Sequence, residues 1–187
     1  LESLKWEKYK GGIYKAQVPS GLAFDQLFIN GERQVRARFP NYDYENPLRD
    51  GKGYHQVTGG TNKRYDKWFS FDPKTFSDKT WAHPETGIVH GFQSHNWGNM
   101  QYNIKSVQKE KNRINLNEGG WQLQRTHGIG GKGKKASYYF IENIFEELDV
   151  PGEWFLDVET HTLYYYPMQG VQLSDLKIEV PVIADII

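Results

Sequence analysis

The sequence contains no cysteine. Disulfide staples, thiolate metal sites and thiol nucleophiles are therefore excluded, although an oxidising compartment is not. It has no excess of charge of either sign, with 23 Lys plus Arg against 23 Asp plus Glu. No global field draws it to nucleic acid, a membrane surface or a polyanionic substrate. No apolar run approaches the roughly 20 residues of a membrane-spanning helix, and no signal-like segment opens the chain. It begins at Leu1 rather than Met and ends on Ile186-Ile187; we expect a piece excised from a longer protein. No internal repeat or low-complexity segment is present.

What the chain does have suits a β-rich domain. Its 187 residues are 37% hydrophobic, enough for a single compact domain, 1–187, with a real core. Aromatic residues make up 15% and glycines number 19, which together favour an all-β domain with many turns. Asn30-Gly31 gives the sharpest local signal, because it supplies the positive φ angles of a two-residue hairpin turn between Leu27–Ile29 and Glu32–Val35. The second arm continues to Phe39, alternating so that Arg36 and Arg38 share a face. Trp6–Tyr9 and Ile13–Val18 predict a first hairpin or a bent strand around Gly11-Gly12. Ile88–Ile104 and Lys105–Leu116 predict strands with a turn at Gln108–Asn112, Trp121–Arg125 a further strand, and Leu176–Ile183 a half-buried terminal strand. From Tyr42 to Thr86 the pattern dissolves. Trp68, Phe69, Phe71, Phe76 and Trp81 argue against disorder there, so residues 42–86 read as an irregular, partly packed excursion with turns at Asp72-Pro73 and His83-Pro84.

The densest aromatic stretch is Tyr138–Pro167. Phe140, Ile144, Phe145 and Leu148 recur every three to four residues, predicting about two turns of amphipathic helix ended by Pro151-Gly152. Trp154–Val158 and Leu163–Pro167 follow as a hairpin around Glu159–Thr162.

Four constellations carry chemistry. Gly128–Lys135 approaches a phosphate-binding loop, but Lys135 stands where Ser or Thr would be needed and no buried strand precedes it, so a mobile basic turn is the simpler reading. His83, His90, His95 and His127 lack any metal-ligand spacing, and neither a metal nor a cofactor is expected. Glu153, Asp157 and Glu159, or Asp43 and Glu45, could form a hydrolytic carboxylate pair; every soluble domain has such pairs, and Glu153 or Asp157 in structural hydrogen bonds would remove that reading. Lastly, Trp81 with His83, His95-Asn96-Trp97, and Trp121 combine aromatic faces with polar groups suited to a sugar ring. Core packing is the rival explanation for these tryptophans.

Several segments resemble the β-barrel domain inserted into parallel β-helix glycoside hydrolases and their uncharacterised relatives. They are FDQLFINGERQVRARFPN at Phe24–Asn41, the Trp97 region followed by YNIKSV and INL, and YYFIENIFEELDVPGEWFLDVETHTLYYYP. The resemblance implies a β-barrel or sandwich-like domain with one short helix near residues 140–148. It also implies that the catalytic groups sit on a β-helix outside this chain, so no catalytic residue is carried over. The implied role is a non-catalytic accessory that shapes the substrate cleft or packs on the β-helix of a glycoside hydrolase that degrades polysaccharide. The β-helix is then the partner, with a poly- or oligosaccharide as a second one and neither nucleic acid nor membrane. The location is periplasmic or extracellular if the parent is secreted. An autonomous carbohydrate-binding module and a small carboxylate-dependent hydrolase remain the alternatives.

Overall fold

The structure is a computed structural model and describes residues 1, 4–61, 67–92, 98–122, 125–126 and 128–182. The fold is all-β, as expected, and its helical elements are short 3-10 turns. The described residues fall into two compact units, Leu1–Arg38 with Glu147–Ile187, and Phe39–Glu146.

The first unit is built around the hairpin of Glu153–Asp157 and Thr162–Tyr165, which pair antiparallel from Trp154↔Tyr165 to Asp157↔Thr162. Asp157 Oδ1 closes the turn by accepting from the amides of Glu159 and Thr160 at 2.9 and 3.1 Å. His161 sits there at φ 52°. Ile13–Gln17 extends the sheet antiparallel, and Glu7–Lys10 pairs beyond it. On the other side Val35–Arg36 adds in parallel. A separate small sheet joins Phe28–Ile29, Glu32–Arg33 and the terminal strand Ile178–Glu179. The expected Asn30-Gly31 turn is there, with φ of 52° and 82°. The core gathers Phe24, Leu27, Trp154, Leu163 and Tyr165. Trp154 is fully buried, stacked on Phe24 at 5.4 Å and overlain by the Arg36 guanidinium at the same distance.

The hairpin's second arm does not run on as one strand. The chain turns at Ala37, whose amide donates to Trp154 O at 2.7 Å. Val35–Arg36 and Arg38–Phe39 thereby enter different sheets. Arg36 is half-buried on the tryptophan and Arg38 is buried, so they do not form one cationic face.

The second unit carries an eight-stranded sheet. Ile88–Phe92 is central, between Asn99–Gln108 and Tyr138–Glu142, both antiparallel to it. The strands follow a period of two: Val89 and Gly91, Met100, Tyr102 and Ile104, and Tyr139 and Ile141 point into the core, while the alternate residues do not. Lys109–Lys111 and left-handed Asn112 form the turn to Arg113–Gly119. Trp68–Ser70 and Gly59–Thr61 add outward from there, and His55–Gln56 pairs with Tyr138–Glu142. The excursion over 42–86 is thus partly β. Its aromatics Phe69, Phe71 and Phe76 are buried core, Asp72 caps the turn Pro73–Phe76, and His83 precedes a second turn, Pro84–Thr86.

The two-turn helix is replaced by strand Tyr138–Glu142 and a single 3-10 turn, Phe145–Glu147. Pairing with Ile88–Phe92 claims the first half, and Asn143 at φ 65° interrupts any continuation. Phe140, expected on the buried helix stripe, lies instead on the sheet's outer side, its ring parallel to His90 at 4.4 Å.

Candidate functional site

The carboxylates weighed as a catalytic pair are committed to the backbone. Glu153 is buried as the first residue of its strand, and its Oε2 accepts from the amides of Asp149 and Val150 at 3.2 and 3.4 Å. Burial pushes its carboxyl up to about 8, against a smaller opposing effect of those amides and of the Arg38 amide. A protonated Glu153 therefore stays neutral inside the fold over much of the neutral range. Asp157 closes its hairpin turn as described. Asp43 accepts from the amides of Glu45, Asn46 and Lys52, and the Asn46 amide leads in holding its carboxyl below the usual range. These are turn-building and strand-starting carboxylates, which removes the best candidates for a hydrolytic pair.

Gly128–Lys135 passes through the 3-10 turn Gly133–Lys135 into strand Tyr138–Glu142, with no helix whose N-terminus could hold a phosphate. Among the described residues no group of three or more His, Asp or Glu is placed to hold a metal ion. His90 Nε2 lies 3.1 Å from Glu142 Oε1, and His83 Nδ1 3.0 Å from Glu85 Oε1.

Of the expected sugar-contacting residues, Trp81 and His83 are described in full. Trp81 packs edge-on against Phe76 at 5.2 Å and Phe39 at 6.2 Å, half-buried at the margin of the core. Its remaining surface lines a groove of about 330 Å³ with Lys79, Thr80, Lys109 and Glu110. His83 is exposed and does not line that groove, so the two are not brought into one site. His95, Asn96 and Trp97 lie outside the described residues. Trp121 is described only by its backbone pairing with Thr126.

A different aromatic surface does form, and only part of it was marked by sequence. Tyr54 meets Phe92 at 6.0 Å and Phe140 at 5.4 Å, and the Arg49 guanidinium lies 5.8 Å from the Phe92 ring. Pro47, Leu48, Arg49, Asp50, Tyr54 and Phe92 line an open cleft of about 550 Å³. Leu48 is 67% exposed, and nearby in sequence Tyr44 is 66% exposed. The outward positions of strand Ile88–Phe92 were the available signal, and the helix expectation over Phe140 concealed the second half.

Comparison with known proteins gives the context of this surface. One solved structure, described as a glycoside hydrolase, matches with a TM-score of 0.69 and 22% identity over 93% of this chain. The likeness is one of fold, and the chain spans 30% of that protein's length. No curated protein matches it. The family model of the GH141 insertion domain matches residues 11–168, which takes in parts of both compact units and leaves out the first strand, Glu7–Lys10, and the last, Ile178–Glu179. The chain belongs to the GH141 insertion domain family.

Proposed function

We propose that this chain is a non-catalytic accessory domain of a glycoside hydrolase, packed on a parallel β-helix that carries the chemistry and helping to shape its substrate cleft. Membership of an insertion-domain family carries this reading. It is supported by the fate of Glu153, Asp157 and Asp43, each of which has a carboxylate oxygen accepting from backbone amides. The cleft that joins exposed Leu48 to Arg49, Tyr54 and Phe92 has the composition of a packing surface, since Tyr, Arg and Phe are enriched where proteins bury area against each other. The occupant of that surface is the remainder of the enzyme.

Leu48→Asp tests it. In the full-length enzyme this change lowers the melting temperature and the yield of the native form, because a carboxylate is buried without a partner. In the isolated chain the melting temperature stays unchanged, because Leu48 already faces solvent. Equal behaviour in the two contexts contradicts the packing role.

A further inference from the structure

The Gly-Lys loop reads from sequence as a mobile basic turn, but its backbone is pinned to the Phe39–Glu146 unit. Ile129 at one end and Ala136 at the other are buried in the core that holds Tyr139 and Ile141. Gly130 and Ser137 clasp the base of the loop: the Gly130 amide donates to Ser137 Oγ at 3.0 Å, and the Ser137 amide donates to Gly130 O at 2.8 Å. A Cβ on Gly91 would strike the Ile129 side chain, and one on Gly60 its carbonyl, so two strands are pared back to admit the loop. Between these anchors Lys132, Lys134 and Lys135 are all exposed, the last two within the 3-10 turn Gly133–Lys135.

The charge held out in this way is of one sign. Residues 119–141 contain Arg125 and those lysines but no Asp or Glu. None of the three lysines is ion-paired with a described residue. Asp72, the carboxylate lining the cleft beside Lys132, accepts from the Lys74 amide instead. A 3-10 turn rises about 2 Å per residue. The lysine stems therefore leave the backbone well inside the Debye length of about 10 Å at 0.1 M salt, and their fields add. The chain is neutral as a whole, yet Lys and Arg outnumber Asp and Glu within the Phe39–Glu146 unit. Such a patch selects an anion with several charges, since one charge cannot neutralise separate ammonium groups. Lysines are strongly hydrated point charges without the fork that grips a single planar anion, which suits anionic groups repeated along a hydrated polymer. Residues 122–137 contain no aromatic side chain on which a nucleic-acid base could stack. We infer that this loop binds an anionic polysaccharide, whose carboxylate or sulfate groups pair with Lys132, Lys134 and Lys135. The choice of a polysaccharide over another polyanion rests on the accessory reading above; the choice of a polyanion does not.

The test is retention of the 187-residue chain on immobilised alginate and immobilised dextran sulfate, with neutral dextran and duplex DNA as comparisons. Retention is expected on at least one anionic polysaccharide and not on dextran, and it falls as salt rises because each pairing releases a counterion. Binding to alginate alone assigns the carboxylate, and to dextran sulfate alone the sulfate. Lys132→Ala, Lys134→Ala and Lys135→Ala combined weaken it about tenfold or more. The same loss of charge at exposed Lys5, Lys8 and Lys10 changes it less than about twofold. Ser137→Ala, which keeps every charge but releases the Gly130 amide, weakens it about threefold. No retention on either anionic polysaccharide, equal losses from the two lysine triples, indifference to Ser137→Ala, or equally tight binding of duplex DNA overturns the inference. Such a failure leaves the non-catalytic role standing, whereas glycoside turnover by the chain would remove that role whatever the retention shows.

Discussion

Glu153 shows how a residue that looks catalytic in a sequence can be structural. A carboxylate just before Trp154-Phe155 invites a functional reading, but its Oε2 accepts from two backbone amides where a strand begins, and its burial raises its pKa from 4.5 to about 8. The folded state therefore holds a proton that the unfolded state has lost. Below about pH 4.5 both states are protonated and the group is neutral to stability; as pH rises toward 8 the unfolded state gains, and stability falls through that window. Glu153→Gln is expected to flatten this decline and to raise stability at pH 8 by on the order of 3 kcal/mol, as read from urea unfolding between pH 4 and 9. Trp81 makes the complementary point. Proposed from sequence as a sugar platform, it rests on Phe76 and Phe39, so Trp81→Ala is expected to cost about 2 kcal/mol in the same measurement, less than a fully buried tryptophan. A loss well under half of that would return Trp81 to the surface.

At the scale of elements, what was legible depended on where each element finds its partner. Hairpins closed by local turn chemistry were readable: Asn30-Gly31, Gly11-Gly12, Gln108–Asn112 and Glu159–Thr162 all fold as their residues dictate. Some strands whose partners are distant were not. Tyr138–Glu142 has an aromatic run compatible with a helical or an extended period, and only its pairing with Ile88–Phe92 decides between them. The break at Ala37 likewise depends on Trp154, more than a hundred positions away in the chain. Two glycines separate backbone strain from crowding. Gly31 has φ 82° and open space around its Cα hydrogens, so Gly31→Ala is expected to cost about 1 kcal/mol. Gly120 has φ 72°, and a Cβ there would lie 2.2 Å from the ring of wholly buried Tyr102. Gly120→Ala adds overpacking to strain and is expected to cost about 3 kcal/mol. Denaturation midpoints of the two variants check the order, and equal losses would contradict it.

At the scale of the molecule, two hydrophobic cores organise the chain, one around Trp154 and one around Phe69, Tyr102 and Tyr139. Composition announced a β-rich protein with a core but could not divide it, because the first unit is assembled from the two ends of the sequence. The surfaces that now attract attention were equally hidden. Tyr54 and Phe92 are far apart in sequence, and only the folded chain brings their rings together. The proposed accessory role carries one central claim, that this chain does not itself cleave glycosides. The most direct measurement is the release of nitrophenol from a panel of aryl glycosides by the purified chain, with Glu153→Gln and Asp157→Asn alongside. No turnover above buffer is expected from any of the three proteins. Turnover by the parent chain that disappears in one folded carboxylate variant would contradict it.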